Sequence, residues 1–203
     1  MQKIWKIISI VPLLSLSLYG VSPMQEISVA KAIVKNANAY NIDSKILFTL
    51  IDVESDFEPN AIAVETSKAA AETLKALRSD SIKVTTGRTY HSRLYLVSIF
   101  PKRKEDAMYI SQLLKSMDFI FDVGLMQINT CNFKQHEATK MFDVDYNIQK
   151  GAKILKSCTR LFKDFKNQLE CYNRGAGNLR KALKKGKNYA PYYKRFLQKW
   201  DFR

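Results

Sequence analysis

Glycine and proline are scarce in this chain, 7 and 5 of 203 residues, which excludes collagen-like, linker-like and low-complexity architectures. Histidine occurs only twice and cysteine three times, and no spacing among them resembles a zinc site. His136 and Glu137 begin like a zinc-protease helix, but Lys140 stands where the second histidine would have to be. A Gly-x-Ser-x-Gly elbow and a phosphate loop ending in Gly-Lys-Ser or Gly-Lys-Thr are both missing. Neither a metal nor a nucleotide cofactor is therefore expected. Acidic residues are in deficit as well: 33 Lys and Arg against 19 Asp and Glu leave a formal charge of +14. A field of that sign draws anionic polymers. Beyond Pro23 the chain lacks any long apolar run, so that part should be soluble or tethered only at its start.

The one long apolar run is at the beginning. Within residues 1–22, Lys3 and Lys6 precede an apolar stretch from Ile7 to Leu18, followed by the small residues Gly20 and Ser22, the layout of a secretory signal. The stretch is shorter than the roughly 20 residues of a spanning helix, which favours a signal over an uncleaved anchor. Residues 23–203 are then expected to form one exported domain in the periplasm or cell envelope. Export makes nucleic acid a poor partner. Without Lys3 and Lys6 the charge is still +12, that is 31 Lys and Arg against 19 Asp and Glu, and it suits an anionic membrane surface or the carboxylate-bearing peptides of a cell wall. In an oxidising compartment Cys131, Cys158 and Cys171 should give one disulfide and one leftover thiol, with all three pairings open. Cys158 would share an apolar helix face with Leu155 and Phe162, and could equally be core.

Hydrophobic spacing reads mostly as helix. From Val29, the positions Ala32, Ile33, Ala37 and Tyr40 recur at helical intervals, and Asp43 then caps a second helix with Leu47, Leu50, Ile51 and Glu54 along one stripe. Phe57 and Pro59 close it. Residues 63–121 differ in texture and read as an insertion. It comprises a helical stretch at 67–78, two strands (IKVTT and RLYLVSIF) around a loop at 87–92, and a helix after Pro101 with Ala107, Ile110, Leu114 and Met117 on one side. Helices at 145–162 (capped by Asp143 or Asp145) and 167–174, then a basic helical tail from Pro191 to Trp200, complete the chain. Helical periodicity puts most aromatics in the core; Tyr189, Tyr192 and Tyr193 are candidate exceptions.

Glu54 ends an apolar stripe. A carboxyl kept from water is pushed towards its neutral form, so a proton is at hand near neutral pH, as cleavage of a glycosidic bond requires. Three blocks surround this residue type in order: AYNIDSKILFTLIDVESDFEPNAI, FDVGLMQINTCNF and ECYNRGAGNL, with NIQKGAKIL between the last two. Together they resemble the signature blocks of the lytic transglycosylases with a lysozyme-like (SLT) fold. The second block and the insertion before it look most like the VirB1-like branch, which serves type IV secretion and conjugation machines.

That resemblance implies a mainly α, lysozyme-like fold with an inserted β-hairpin and helix, and peptidoglycan glycan strands as substrate. Glu54 would be the single acid and base, cutting between N-acetylmuramic acid and N-acetylglucosamine and forming a 1,6-anhydro end. Ser55, Gly124, Met126, Gln127, Asn129, Tyr172 and Asn173 would bind substrate or shape its cleft, Met126 and Gln127 at the floor and the Tyr172 phenol near the catalytic carboxyl. Secretion-apparatus components are the further partners it implies. Cys171 stands where alanine is usual in that pattern and could be a free thiol beside the cleft. Two other readings compete: a hydrolytic muramidase, with Asp52, Asp56, Asp122 or Asp143 as second carboxylate, and a non-catalytic glycan-binding assembly factor.

Overall fold

The first run of helical spacing belongs to a helix longer than its apolar stripe, α1 (Pro23–Tyr40), which opens on proline, a residue suited to the first helical turn. In this computed structural model residues 23–89, 94–187 and 190–201 are described; the signal layout of 1–22 and Tyr189 lie outside them. Val29, Ala32, Ile33 and Ala37 are buried. The Asn36 amide donates to Asp145 (2.9 Å) and the Lys35 ammonium meets the same carboxylate at 2.6 Å. Both contacts tie α1 to α5 (Val144–Leu161).

Asp43 caps α2 (Ser44–Ser55), its side chain accepting from the Lys45 amide, and Leu47, Leu50 and Ile51 are fully buried. Asp56 then turns left-handed at φ 54° and ends the helix. Glu54 is thereby held on the last turn, where the apolar stripe meets the surface.

Five antiparallel strands follow, in the order β2-β3-β1-β4-β5: β1 (Ile62–Thr66), β2 (Ile82–Arg88), β3 (Tyr95–Pro101), β4 (Phe121–Val123) and β5 (Ile128–Asn129). The hairpin of β2 and β3 is thus one part of the sheet and not the whole of it, as the sequence had suggested. Strands of two, three and five residues are too short for a two-residue period to stand out. Between β1 and β2 lies α3 (Lys68–Lys75), capped by Ser67. After β3 comes α4 (Lys104–Ser116), which buries Ala107, Ile110 and Leu114. Met117 does not join that face; it lies past the last turn and is 58% exposed.

Asp143, not Asp145, caps α5, accepting from the Tyr146 amide at 2.9 Å. Phe162 ends that helix and is only partly buried. Then come α6 (Phe165–Arg174), α7 (Ala176–Lys184) and α8 (Pro191–Asp201). Gly175 of RGAGN ends α6 with one sharp turn at φ 79°, and α7, which the hydrophobic spacing had not marked, starts at once. Cys158 on α5 bonds Cys171 on α6, with Cα atoms 5.8 Å apart, and Cys131 is free and exposed. The expectation of a free Cys171 beside the cleft is therefore overturned, and Cys158 is more than core. The architecture is mainly α with one five-stranded antiparallel sheet. Among the described residues no helix is long and apolar enough to cross a membrane.

Candidate active site

A cleft of about 1210 Å³ runs between the end of α2, the exposed face of the sheet and the helices α6 and α8. Glu54, Ser55, Gln127, Asn129, Tyr172 and Asn173 all line it. Glu54 is partly buried, and burial is the largest influence on its carboxyl, raising it from the ordinary 4.5 to about 7. The Tyr192 hydroxyl donates to Glu54 Oε1 at 2.5 Å, and this bond, with the positive charge of Arg195, pulls the other way. The negative charge of Asp122 pushes the carboxyl further up. A carboxyl poised near neutrality can give a proton and take one back.

The phenol bonded to Glu54 is thus Tyr192 of the tail helix, not Tyr172. Tyr192 is buried, so it is no sugar-stacking exception, and burial holds its hydroxyl well above the usual tyrosine range and keeps it a donor. Arg195 lies 5.3 Å from the Tyr192 ring centroid. Tyr172 donates instead to the Met126 carbonyl at 2.7 Å, while feeling the charge of Glu54 nearby. It positions the floor and leaves the acid to another residue.

That floor is a strained turn. Gly124 has φ 75° and Gln127 φ 42°. A Cβ on Gly124 would come within 2.3 Å of Asn147 Nδ2 and 2.8 Å of the Met141 carbonyl, so the missing side chain admits α5 rather than substrate. Asn147, itself buried, accepts from the Met126 amide (2.8 Å) and donates to the carbonyls of Val123 (3.0 Å) and Met141 (2.9 Å). Three bonds from one amide fix the whole turn. The Met126 side chain is fully buried against Gly151; it is core, and only its backbone belongs to the floor. Gln127 turns its amide to the Gly124 carbonyl at 2.8 Å.

Ser55 is buried, and its hydroxyl donates to the carbonyls of Leu125 (2.9 Å) and Ile51 (3.2 Å). It fastens the end of α2 to the floor instead of reaching towards a sugar. Asn129 caps a short turn through the Cys131 amide and donates to Asp122 at 2.9 Å, which leaves one amide hydrogen for a ligand. Asn173 lines the cleft from α6.

Of the four aspartates weighed as second carboxylates, Asp52 faces Lys199 at 2.8 Å, exposed Asp56 lies 3.6 Å from the same ammonium, and Asp143 caps α5 beside a separate pocket. Asp52, Asp56 and Asp122 all line the cleft; among the described residues Asp122 faces no ammonium, accepts from Asn129, and is raised by burial to about 6. Among the described residues no group of His, Cys, Asp and Glu could hold a metal. Sequence reasoning missed Tyr192 as the partner of Glu54, and Arg195 and Asn147 altogether. The four-residue step from Tyr192 to Phe196, both buried, was the available sign that the tail packs inward.

The family model described as Transglycosylase SLT domain matches residues 31–194, most of the chain, and with it the lysozyme-like fold. No curated protein and no solved structure matches.

Proposed function

Because the chain belongs to the transglycosylase SLT domain family, whose members bind peptidoglycan glycan strands and act as lytic transglycosylases, we propose that Glu54 is its acid and base in cutting the β-1,4 bond from N-acetylmuramic acid to N-acetylglucosamine. The observation that carries this is a carboxyl raised to about 7 in the cleft, with a neutral phenol on one oxygen. Tyr192 occupies Oε1, so Oε2 is the oxygen left to face the sugar. Protonated Glu54 gives its proton to the glycosidic oxygen as the bond to the muramoyl C1 breaks. The substrate's acetamido group supports the positive charge that develops. Arg195 steadies the carboxylate so formed. Glu54 then takes the proton of the muramoyl 6-hydroxyl, whose oxygen closes on C1, and no water is consumed. An attached hydroxyl outruns water through its effective concentration.

Asn129 and Asn173 are placed to receive sugar substituents, while Ser55, Gly124, Met126, Gln127 and Tyr172 shape the floor. In this reading the chain is exported through its first 22 residues and opens the wall locally for a secretion or conjugation apparatus. Support for that role is the resemblance of the FDVGLMQIN block and the signal-like start. Hydrolysis is the second reading, favoured by one observation: Asp122 shares the cleft and is itself raised. Mass spectrometry of muropeptides released by the purified chain decides between them. Anhydro ends, lost in Glu54→Gln, are the expected result. Reducing muramoyl ends that vanish in Asp122→Asn would replace the mechanism with hydrolysis, and undiminished cleavage by Glu54→Gln would remove Glu54 from it.

A further inference from the structure

Helix α8 starts without a cap of its own. Its first intrahelical bond runs from the Lys194 amide to the Ala190 carbonyl, which makes Ala190 the N-cap position, Pro191 the first helical residue and Tyr193 the third. An N-cap side chain ordinarily accepts from the second or third amide of its helix, and alanine has no oxygen with which to do so. The acceptor comes from another helix. Glu170 on α6 is 1% exposed, and its Oε1 accepts from the Tyr193 amide at 3.0 Å. Its Oε2 meets Arg174 Nη2 at 2.5 Å, so both oxygens are engaged and the side chain is held in one orientation. A negative group at that end of a helix is favoured by the helix dipole as well. Glu170 also stands on a fixed base: Leu169 is fully buried, Cys171 is bonded to α5, and Tyr172 holds the Met126 carbonyl.

We infer that Glu170 is a positioning residue for the reaction at Glu54: by capping α8 from outside, its carboxylate fixes the first turn of that helix and, with it, the hydroxyl of Tyr192 on the acid. The capped residue, Tyr193, is the immediate neighbour of Tyr192. Aromatic packing holds the same end of α8, with the Phe165 ring edge-on to Tyr193 and Phe196 at 6.3 and 5.8 Å between centroids. Apolar contact has no direction, however, and the height of the phenol against Glu54 needs a directional bond. Lys199 and the buried Asp52 supply one at the last turn, so each end of α8 is set by one buried acid. Glu170 is absent from the lining of the cleft and acts through Tyr192. The groups facing Glu54 are Tyr192 and Arg195 on α8, Asp122 on β4 and Tyr172 on α6; among the described residues Tyr192 alone bonds it. That bond favours the charged form of Glu54, whereas the negative charge of Glu170 itself disfavours it through space. The two ways of acting therefore have opposite signs.

The test is the pH profile of kcat for the full chain carrying Glu170→Met, which fills the space of the glutamate and offers no carboxylate oxygen. Loss of the cap should free the phenol from Glu54 and move the alkaline limb up by about one pH unit, to where Tyr192→Phe puts it. Glu170→Met added to Tyr192→Phe should move it no further. Ala190→Ser supplies a local N-cap and should return the limb of Glu170→Met to its wild-type position; a residue needed only for its ion pair with Arg174 would not be rescued in this way. Circular dichroism and melting show whether each variant is folded, and Glu170→Ala replaces the methionine variant if that one is not. An unmoved limb, a limb moved down (the sign of lost charge alone), or a full shift that persists beside Ala190→Ser would overturn the role. So would failure of both Glu170 variants to fold, which would assign Glu170 to stability. The inference rests on Glu54 being the acid. Cleavage by Glu54→Gln tests that reading by itself, so the two fail separately.

Discussion

Glu54→Gln should abolish cleavage and at the same time make the protein more stable, and the gain should depend on pH in a way that can be worked out. The carboxyl titrates at 4.5 in an unfolded chain and at about 7 in the fold, chiefly because burial penalises its charged form. The folded state therefore holds its proton more tightly. Below the unfolded value both states are protonated and the site has no effect. Between the two values stability falls as pH rises, and above about 7 the whole penalty is present. A rise from 4.5 to about 7, at 1.36 kcal/mol per pH unit, is worth about 3 kcal/mol. Glutamine has nearly the same shape, keeps an acceptor for the Tyr192 hydroxyl and carries no charge. For a domain of this size each kcal/mol moves the melting temperature by about 2–4 °C, so the variant should melt roughly 6–12 °C above wild type at about pH 8 and level with it at about pH 4. Calorimetry at the two pH values, with urea unfolding alongside, gives the numbers. Equal melting at both pH values, or a gain of the same size at both, would show that Glu54 is not held neutral by its surroundings.

Three further outcomes follow from particular contacts. Tyr192→Phe removes the donor that pulls Glu54 down. Since cleavage needs the protonated acid and fades as pH rises through its pKa, the alkaline limb of kcat should move up by about one pH unit, given roughly 1.5 kcal/mol for a hydrogen bond to a charged group. An unmoved limb would remove Tyr192 from the site's electrostatics. Cys171→Ser opens a bond spanning a separation of 13 residues and should cost about 3 kcal/mol of stability; dithiothreitol should lower the melting temperature of wild type and leave the variant's unchanged. Gly124→Ala forces a Cβ to 2.3 Å from Asn147 Nδ2 at φ 75°. It should lose at least about 2 kcal/mol in urea unfolding, through both strain and overpacking.

How far the molecule could be read from its sequence depended on the range of the interactions involved. Helices α1, α2, α4, α5 and α8 announce themselves because amphipathic spacing is a local pattern and Asp43 and Asp143 are local caps. The mainly helical class came with them. The sheet did not, since β4 is held by pairing with residues about sixty positions away, as in Ile62 opposite Val123, β5 is held only by β4, and two or three residues carry no period. Similar limits applied at the site. Glu54 is legible as a carboxylate at the end of an apolar stripe, but whether it meets water or protein depends on Tyr192, 138 residues later. Motif similarity drew attention to Tyr172 because it lies in a signature block, whereas the tail tyrosine lies outside all three. Gly124 was legible only as part of a signature block, and what packs against it, Asn147, was not. The choice among three cysteine pairings needed the packing of α6 back against α5, which no spacing encodes.

The two acids near the end of α2 show why the tail helix matters to chemistry and not only to packing. Asp52 and Glu54 are two residues apart, and α8 reaches both, with different groups. Lys199 sets an ammonium 2.8 Å from the buried Asp52, an ion pair that ties α8 to α2. Tyr192 sets a neutral hydroxyl against Glu54, and a neutral donor offsets burial only in part, leaving the acid able to hold a proton near pH 7. Had the ammonium stood at the position of the phenol, Glu54 would be a carboxylate throughout the physiological range and would have no proton to donate. Arg195 comes close to doing that, but it lies across the Tyr192 ring and acts on Glu54 through charge without a direct bond. One helix thus makes Asp52 a structural anchor and Glu54 an acid. That division of roles is written in the order of side chains along α8: Tyr192, Arg195 and Lys199.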